Sequence, residues 1–360
     1  MRHSIVACIV ATVLTATTSV RADEIDNDQV NASIEKGLTW LAKQQTKAGS
    51  FEANGGQYPT SMTALAGMAF LMEGSTMREG KYSDNIRKAV DWFLKRSMPN
   101  GLLGNTNNPT EAQRYMYGHG FGMLFLGCVY GEEDDEKTRK DLEKLLTKAV
   151  DFCGKAQTNR GGWGYVSAAE GANFDEGSVT ITQLQGLRAC RNAGIPVPKS
   201  IIDKSVEYLK NSTTPNGGVI YSLAHGRPAI GGERPALTAA AIASGFSQGE
   251  YNSPLVKKWL SYCQKNIRFN QAGSGFGEYM DYYFSQAMYT LGDDGWEKIF
   301  NGDKNGLKWS EYKKVMYKYQ VGRQKADGSF GASYVGGVYD TALSLTILQL
   351  ERATLPIYQR

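Results

Sequence analysis

The chain has 360 residues, 41% apolar and 21% charged, with 40 Lys and Arg against 36 Asp and Glu and a formal net charge of +4. So balanced a charge leaves no basic footprint, and no nucleic-acid partner is expected. Five cysteines without a CxxC pair or Cys/His ligand spacing give zinc no site, so neither a metal nor another cofactor is expected.

The chain opens as a secretory signal does. Arg2 and His3 precede the apolar stretch Ile5–Leu14, and small residues at Val20 and Ala22 suit cleavage after Ala22. The stretch falls well short of the ~20 residues a bilayer requires. Residues 1–22 read as a signal peptide, 23–33 as a short acidic lead, and the mature protein as exported, periplasmic or extracellular. It has no transmembrane segment and at most a peripheral membrane contact. Cys128, Cys153, Cys190 and Cys263 then remain, each in an apolar helical pattern. They read as buried thiols, with disulfides open to them in an oxidising compartment.

From residue 34 the sequence repeats itself. Six amphipathic helices are read at 34–51, 86–104, 146–164, 202–219, 256–277 and 312–331. Each carries basic residues early and an aromatic in the middle. Each ends in a polar turn with Gly before an apolar landmark: Phe51, Leu102, Trp163, Val219, Phe276 and Phe330. Six helices of another kind follow those turns, at 60–72, 113–131, 176–194, 233–246, 278–292 and 338–350, rich in Ala, Gly, Ser, Thr and Met and poor in charge. A helix apolar all round is buried all round. The second set therefore belongs inside and the first outside. The expected fold is all-α, an (α/α)6 toroid or barrel of six helix-pair repeats over residues 34–352, followed by a tail at 353–360. An open superhelix of helix pairs would show the same alternation.

"WLAKQQTKAGSF", "AQTNRGGWGY" and "GRQKADGSFG" resemble the prenyltransferase and squalene-oxidase repeat of terpenoid cyclases and protein prenyltransferase β subunits. "YMYGHGFGMLFLGCVYG" and "GGWGYVSAAEGANFDEGSVTITQLQGLRACRNAGIPVP" are similar to exported squalene-cyclase-like proteins of planctomycete-type bacteria. The resemblance implies a central cavity for a hydrophobic, isoprenoid-type molecule. Its diagnostic chemistry is absent, however. Against the cyclase Asp-x-Asp-Asp-Thr-Ala motif, "GVYDTA" keeps Asp340, Thr341 and Ala342 but has Gly337 and Tyr339 at the first two acids. Against the prenyltransferase zinc pair, "YMDYYFSQAMY" keeps Asp281 but has Tyr283 at the cysteine, and the later histidine falls near Asp340. Complement-type Cys-Gly-Glu-Gln, P-loop and Rossmann patterns are also missing.

Polar residues of the inner helices gather at their starts, which converge at one end if the helices run parallel. The candidate catalytic residues are Asp340, His119 and Asp281. The candidate ligand-binding residues are Tyr117, Asp175, Glu176, Arg234, Glu278, Tyr282 and Tyr339. Helix capping is the first explanation of the acids Asp175, Glu176, Glu233 and Glu278 taken singly. A core role equally explains His119, set between Gly118 and Gly120. His225 has no partner at ligand spacing and is left out of the site. Three functions stay open: binding or remodelling of a hydrophobic isoprenoid-type ligand; a carbohydrate lyase or hydrolase using Asp281 or Asp340 with Arg234; and a structural, partner-binding ring.

Overall fold

A computed structural model describes residues 26–359, except 172, 225, 227–231, 248, 250, 269–276 and 332. The signal segment, the first residues of the lead, His225 and the landmark Phe276 lie outside the described residues. The elements are helical, with isolated bridges but no strand among the described residues. Among the described residues, no helix is long and apolar enough to cross a membrane.

Six outer helices carry an apolar stripe: α1 (Asn27–Lys43), α3 (Ser83–Arg96), α5 (Glu136–Ala156), α7 (Lys199–Asn211), α9 (Pro254–Asn266) and α12 (Trp309–Gly322). In α3 the stripe is Ile86, Ala89, Val90 and Phe93, the spacing that places side chains on one helical face. The six inner helices are α2 (Pro59–Glu73), α4 (Tyr115–Val129), α6 (Gly177–Asn192), α8 (Pro235–Ser247), α10 (Gly277–Leu291) and α13 (Gly337–Gln349). In α2 every residue from Pro59 to Met72 is buried. A short helix, α11 (Gly295–Ile299), lies between α10 and α12.

The inner helices form a closed ring. Each packs on the next, from α2 through α4, α6, α8 and α10 to α13, and α13 packs back on α2. Outside them α1 meets α12, so the first and last repeats join. The open superhelix is ruled out.

One device joins the repeats. Gly49, Gly101, Gly161, Gly217 and Gly328 all have φ between +91° and +99°, and a Cβ at each would stand 2.1–2.6 Å from the carbonyl oxygen of a lysine on the next outer helix. Gly328 meets Lys36 of α1, which carries the device across the closure. Only glycine satisfies both the left-handed turn and the contact. Gly161→Ala is expected to cost about 2–3 kcal/mol, read as a lower denaturant midpoint with an unchanged m-value; an unchanged midpoint would show that the turn can shift freely.

Two residues after each of these glycines, a backbone N–H bonds a side chain of the following inner helix. Phe51 donates to Thr63 Oγ1 (2.9 Å), Trp163 to Thr180 (3.0 Å), Val219 to Thr238 (2.9 Å) and Phe330 to Thr341 (3.0 Å). In the second repeat the donor is Leu103, one residue beyond the expected landmark Leu102, and the acceptor is Nδ1 of His119 at 3.3 Å.

Helix starts differ from the sequence reading where capping decides. α1 begins inside the expected lead, because Asp26 and Gln29 form a reciprocal capping box. α5 begins ten residues early, where Asp135 accepts the N–H of Thr138 at 2.8 Å.

Candidate functional site

With the inner helices parallel, their N-terminal ends form one rim of the ring. Two polar groups occupy it, joined by tyrosines. On one side, Glu278 and Asp281 come from the first turns of α10, Tyr339 and Asp340 from the first turn of α13, and Arg323 from the C-terminal end of α12. Arg323 Nη2 donates to Glu278 Oε1 at 3.1 Å, and its guanidinium lies 5.3 Å from the Tyr319 ring centre. Arg323 Nη2 and Asp340 Oδ2 both stand 2.6 Å from where a Cβ of Gly331 would be, so a side chain at 331 would wedge into the cluster.

Asp340 Oδ2 accepts the N–H of Ser333 at 2.8 Å, while its Oδ1 is buried without a partner. Asp281 is 5% exposed and its Oδ2 has no partner either. Burial pushes the Asp281 carboxyl up to about 7; Arg323 opposes this and Glu278 adds to it. Burial also raises Asp340, against the hydrogen bonds from Ser333 and the charge of Arg323. Two carboxyls are therefore biased toward the protonated form beside a third that is paired with an arginine.

On the other side, Glu176 caps α6 by accepting the N–H of Val179 at 2.9 Å. Its Oε2 also accepts from Ser178 Oγ and, at 3.3 Å, from Tyr117 Oη, which lies 2.6 Å from Ser178 Oγ. The capping role holds for Glu176, and the same carboxyl reaches the rim; burial raises its pKa. Between the two groups, the Tyr279 and Tyr283 rings meet tilted at 4.7 Å and the Tyr283 and Tyr282 rings edge-to-face at 4.8 Å. The Tyr279 and Tyr283 hydroxyls are buried without partners, and burial holds both phenols well above their ordinary pKa.

A few residues of the otherwise buried inner helices keep exposed surface. In α4 every residue is buried except Tyr117 and Cys128. These lie 11 residues apart, three helical turns, and so on one face. Tyr117 is at the rim end of α4 and Cys128 near its other end. Tyr339 is likewise half-buried between buried Val338 and Asp340, and Tyr279 is half-buried with its neighbours Glu278 and Met280.

The remaining sequence candidates lie elsewhere. His119 is in the core: Nδ1 takes the Leu103 N–H and Nε2–H donates to the Ala149 carbonyl at 3.1 Å, which engages both nitrogens and fixes the tautomer. It is fully buried and held down to about 4 by that burial, against the lift from the Ala149 carbonyl. Of the two roles the sequence leaves open for His119, the core one holds: it is the second repeat's counterpart of Thr63, Thr180, Thr238 and Thr341. Asp175 is tied down by the side chain of Arg160, by Ser222 Oγ at 3.1 Å and by the Leu223 N–H at 2.7 Å, binding successive turns together. Glu233 accepts from Thr214 and Asn216 at 3.0 and 3.2 Å. Arg234 is exposed, and its backbone N–H bonds Val219. The arginine beside Asp281 and Asp340 is Arg323, not Arg234.

Arg323 and Tyr279 were missed from sequence. One signal existed: an arginine stands five residues before the turn glycine in two repeats, Arg96 before Gly101 and Arg323 before Gly328. Arg96 pairs with the buried Glu111, which also accepts from Thr60 Oγ1 at 2.7 Å. Among the described residues, no group of three or more His, Cys, Asp or Glu is placed to hold a metal ion.

No family model matches the chain. Over 88 residues, 24% of this chain but only 12% of the relative, the sequence is 30% identical to lanosterol synthase of Homo sapiens. Among solved structures, the α-1,6-mannanase of Salegentibacter sp. is 10% identical with a TM-score of 0.62, covering 90% of this chain and 99% of that one. The type II terpene cyclase MstE from Scytonema is 13% identical with a TM-score of 0.57, covering 92% of this chain and 100% of that one. At such identities the likeness is one of fold: the chain is an α/α toroid of the kind shared by terpenoid cyclases and that mannanase.

Proposed function

We propose that the tyrosine-lined hollow binds a hydrophobic, isoprenoid-type molecule that carries a polar end, with that end at the Glu278–Asp281–Asp340–Arg323 cluster. The observation that carries this reading is the set of unspent polar atoms around a ring of aromatic faces. Tyr279 Oη, Tyr283 Oη, Asp281 Oδ2 and Asp340 Oδ1 are buried without partners. Buried polar atoms left unmade are costly, and a ligand's hydroxyl or carboxyl satisfies them. The Scytonema cyclase was solved with geranylgeranyl dihydroxybenzoate, a prenyl chain on a polar ring. The 30% identity to lanosterol synthase points to the same class of molecule.

The chemistry follows from the acids present. A carboxyl with a pKa near 7 exchanges protons with a ligand oxygen at neutral pH. It is far too weak to protonate an isolated alkene, so the site does not start polyene cyclisation. Asp281 is the proton-exchanging group, Arg323 and Glu278 hold the polar end, and Asp340 is fixed by Ser333 as an acceptor. Export through the N-terminal signal, with cleavage after Ala22, belongs to the same proposal, and the mass of the secreted protein's N-terminal peptide tests it.

A second reading rests on the same unspent hydroxyls. Tyrosine faces edged with carboxyls also suit sugars, and the mannanase neighbour was solved with α-1,6-mannotriose. Calorimetric titration with geranylgeranyl dihydroxybenzoate and with α-1,6-mannotriose separates the two. Saturable heat from the prenylated phenol alone is the expected outcome. Saturable heat from mannotriose alone transfers the site to carbohydrate, and silence from both overturns the ligand-binding account.

A further inference from the structure

The two ends of the ring differ. Beyond α13 the chain makes two 3-10 turns, Leu350–Arg352 and Pro356–Tyr358. Between them Ala353 adopts a left-handed φ of +49°, which redirects the chain. Thr354 Oγ1 then bonds the carbonyl of Met72 at the end of α2, at 3.1 Å. The second turn packs on α6, across the ring from α13 and α2. The tail thus spans the end opposite the acidic rim.

Tyr358 is the part that enters the ring. It is 4% exposed, and its hydroxyl lies 3.2 Å from that of Tyr282, a buried contact. Burial raises both phenols and the Cys128 thiol adds to both shifts, which places Cys128 beside the pair. Beside the tail, a small pocket lies between Arg188, Phe246, Gln286 and Tyr358. An ordinary surface tail would leave Tyr282 facing solvent from below. This one closes the opening.

We infer that residues 353–359 are the floor of the hollow and that Tyr358, meeting Tyr282, sets how deep a ligand can reach. Tyr358 is in this sense a specificity-determining residue, and its effect on ligand length rests on the binding proposed above. The floor itself does not depend on any ligand.

Cys128 supplies the probe. It is half-buried beside the Tyr282–Tyr358 pair, while Cys153, Cys190 and Cys263 are buried and serve as internal controls for unfolding. Thiol labelling of the whole chain by iodoacetamide, read by peptide mass spectrometry, is compared with that of Tyr358→Ala and of a chain ending at Ala353. Both variants are expected to label at Cys128 about tenfold faster or more, with the other three cysteines unchanged, as a selective local opening would give. Unchanged labelling of Cys128 overturns the floor. So does equal labelling of all four cysteines in Tyr358→Ala, since the tail would then be a strut whose loss unfolds the ring.

Geraniol, farnesol and geranylgeraniol, titrated in order of length, read the ligand arm. Tyr358→Ala is expected to shift the tightest binder toward the longer alcohols. If Cys128 opens but no prenyl alcohol binds either protein, the floor stands and the isoprenoid reading falls. If the alcohols bind with the same length preference in both, Tyr358 does not set the depth.

Discussion

Asp281→Asn is expected to stabilise the protein by about 2–4 kcal/mol at pH 8, since one pKa unit is about 1.4 kcal/mol and the carboxyl is displaced by roughly three. In the folded state Asp281 is raised to about 7 by burial, from an ordinary value of 3.8. Between those values the folded protein keeps a proton that the unfolded chain has released. Its contribution therefore falls as pH rises from about 4 to 7, the reverse of a salt-bridged aspartate. Asparagine has no such charge to bury. His119 acts oppositely: lowered from 6.5 to about 4 by burial, it contributes stability that is present above 6.5 and lost as pH falls through 4. In the wild-type protein the two slopes oppose each other across pH 4–6.5. With Asp281 replaced, one of the slopes that oppose His119 is gone, while Asp340 and Glu176 remain, and stability should fall less steeply with pH than in the wild type over that window. Chemical unfolding at several pH values reads both features; a variant less stable than wild type at pH 8 would mean that Asp281 is well solvated or paired.

Arg323→Met is expected to cost about 3–5 kcal/mol at pH 8, because it removes the arginine paired with Glu278 within a cluster of acids. The side chains of Arg323 and Glu278 are 15% and 25% exposed, so Glu278 recovers some hydration while Asp281 and Asp340 stay buried. Without the guanidinium both aspartates protonate more readily, so the loss should shrink toward pH 5. Asp281→Asn in the same chain should restore part of it at pH 8, as contacting residues couple. A loss equal at pH 5 and 8, with no rescue, would assign Arg323 to packing on Tyr319 rather than to charge.

The ring was legible because its two helix types differ in chemistry. Charged helices such as α3 and wholly apolar ones such as α2 alternate six times, and each pair buries what neither can bury alone. Closure followed from the sixfold alternation but shared its pattern with an open superhelix; the contact that decides it, Gly328 against Lys36, joins opposite ends of the sequence. Short features also escaped: α11 has five residues, and the early start of α5 depends on Asp135 as a cap.

At the site, Asp340, Asp281, Glu278 and Tyr339 come together because the starts of α10 and α13 share the rim. Arg323 was hidden because it arrives from an outer helix, whose charges ordinarily face water. His119 misled for the opposite reason: a histidine in an apolar helix attracts a catalytic reading. Its alignment with Thr63, Thr180, Thr238 and Thr341 showed a structural acceptor, but that equivalence emerges only when the turn glycines set the register.

Unbiased capture tests the central claim most directly. The purified wild-type protein and Arg323→Met are incubated with a total lipid extract, passed through gel filtration, and analysed by mass spectrometry for what remains bound. A prenylated molecule with a polar end retained by wild type and lost from folded Arg323→Met is the predicted result. Wild-type protein that emerges free of any such molecule, or both proteins carrying it equally, would contradict the assignment of the rim cluster as the polar half of a ligand site.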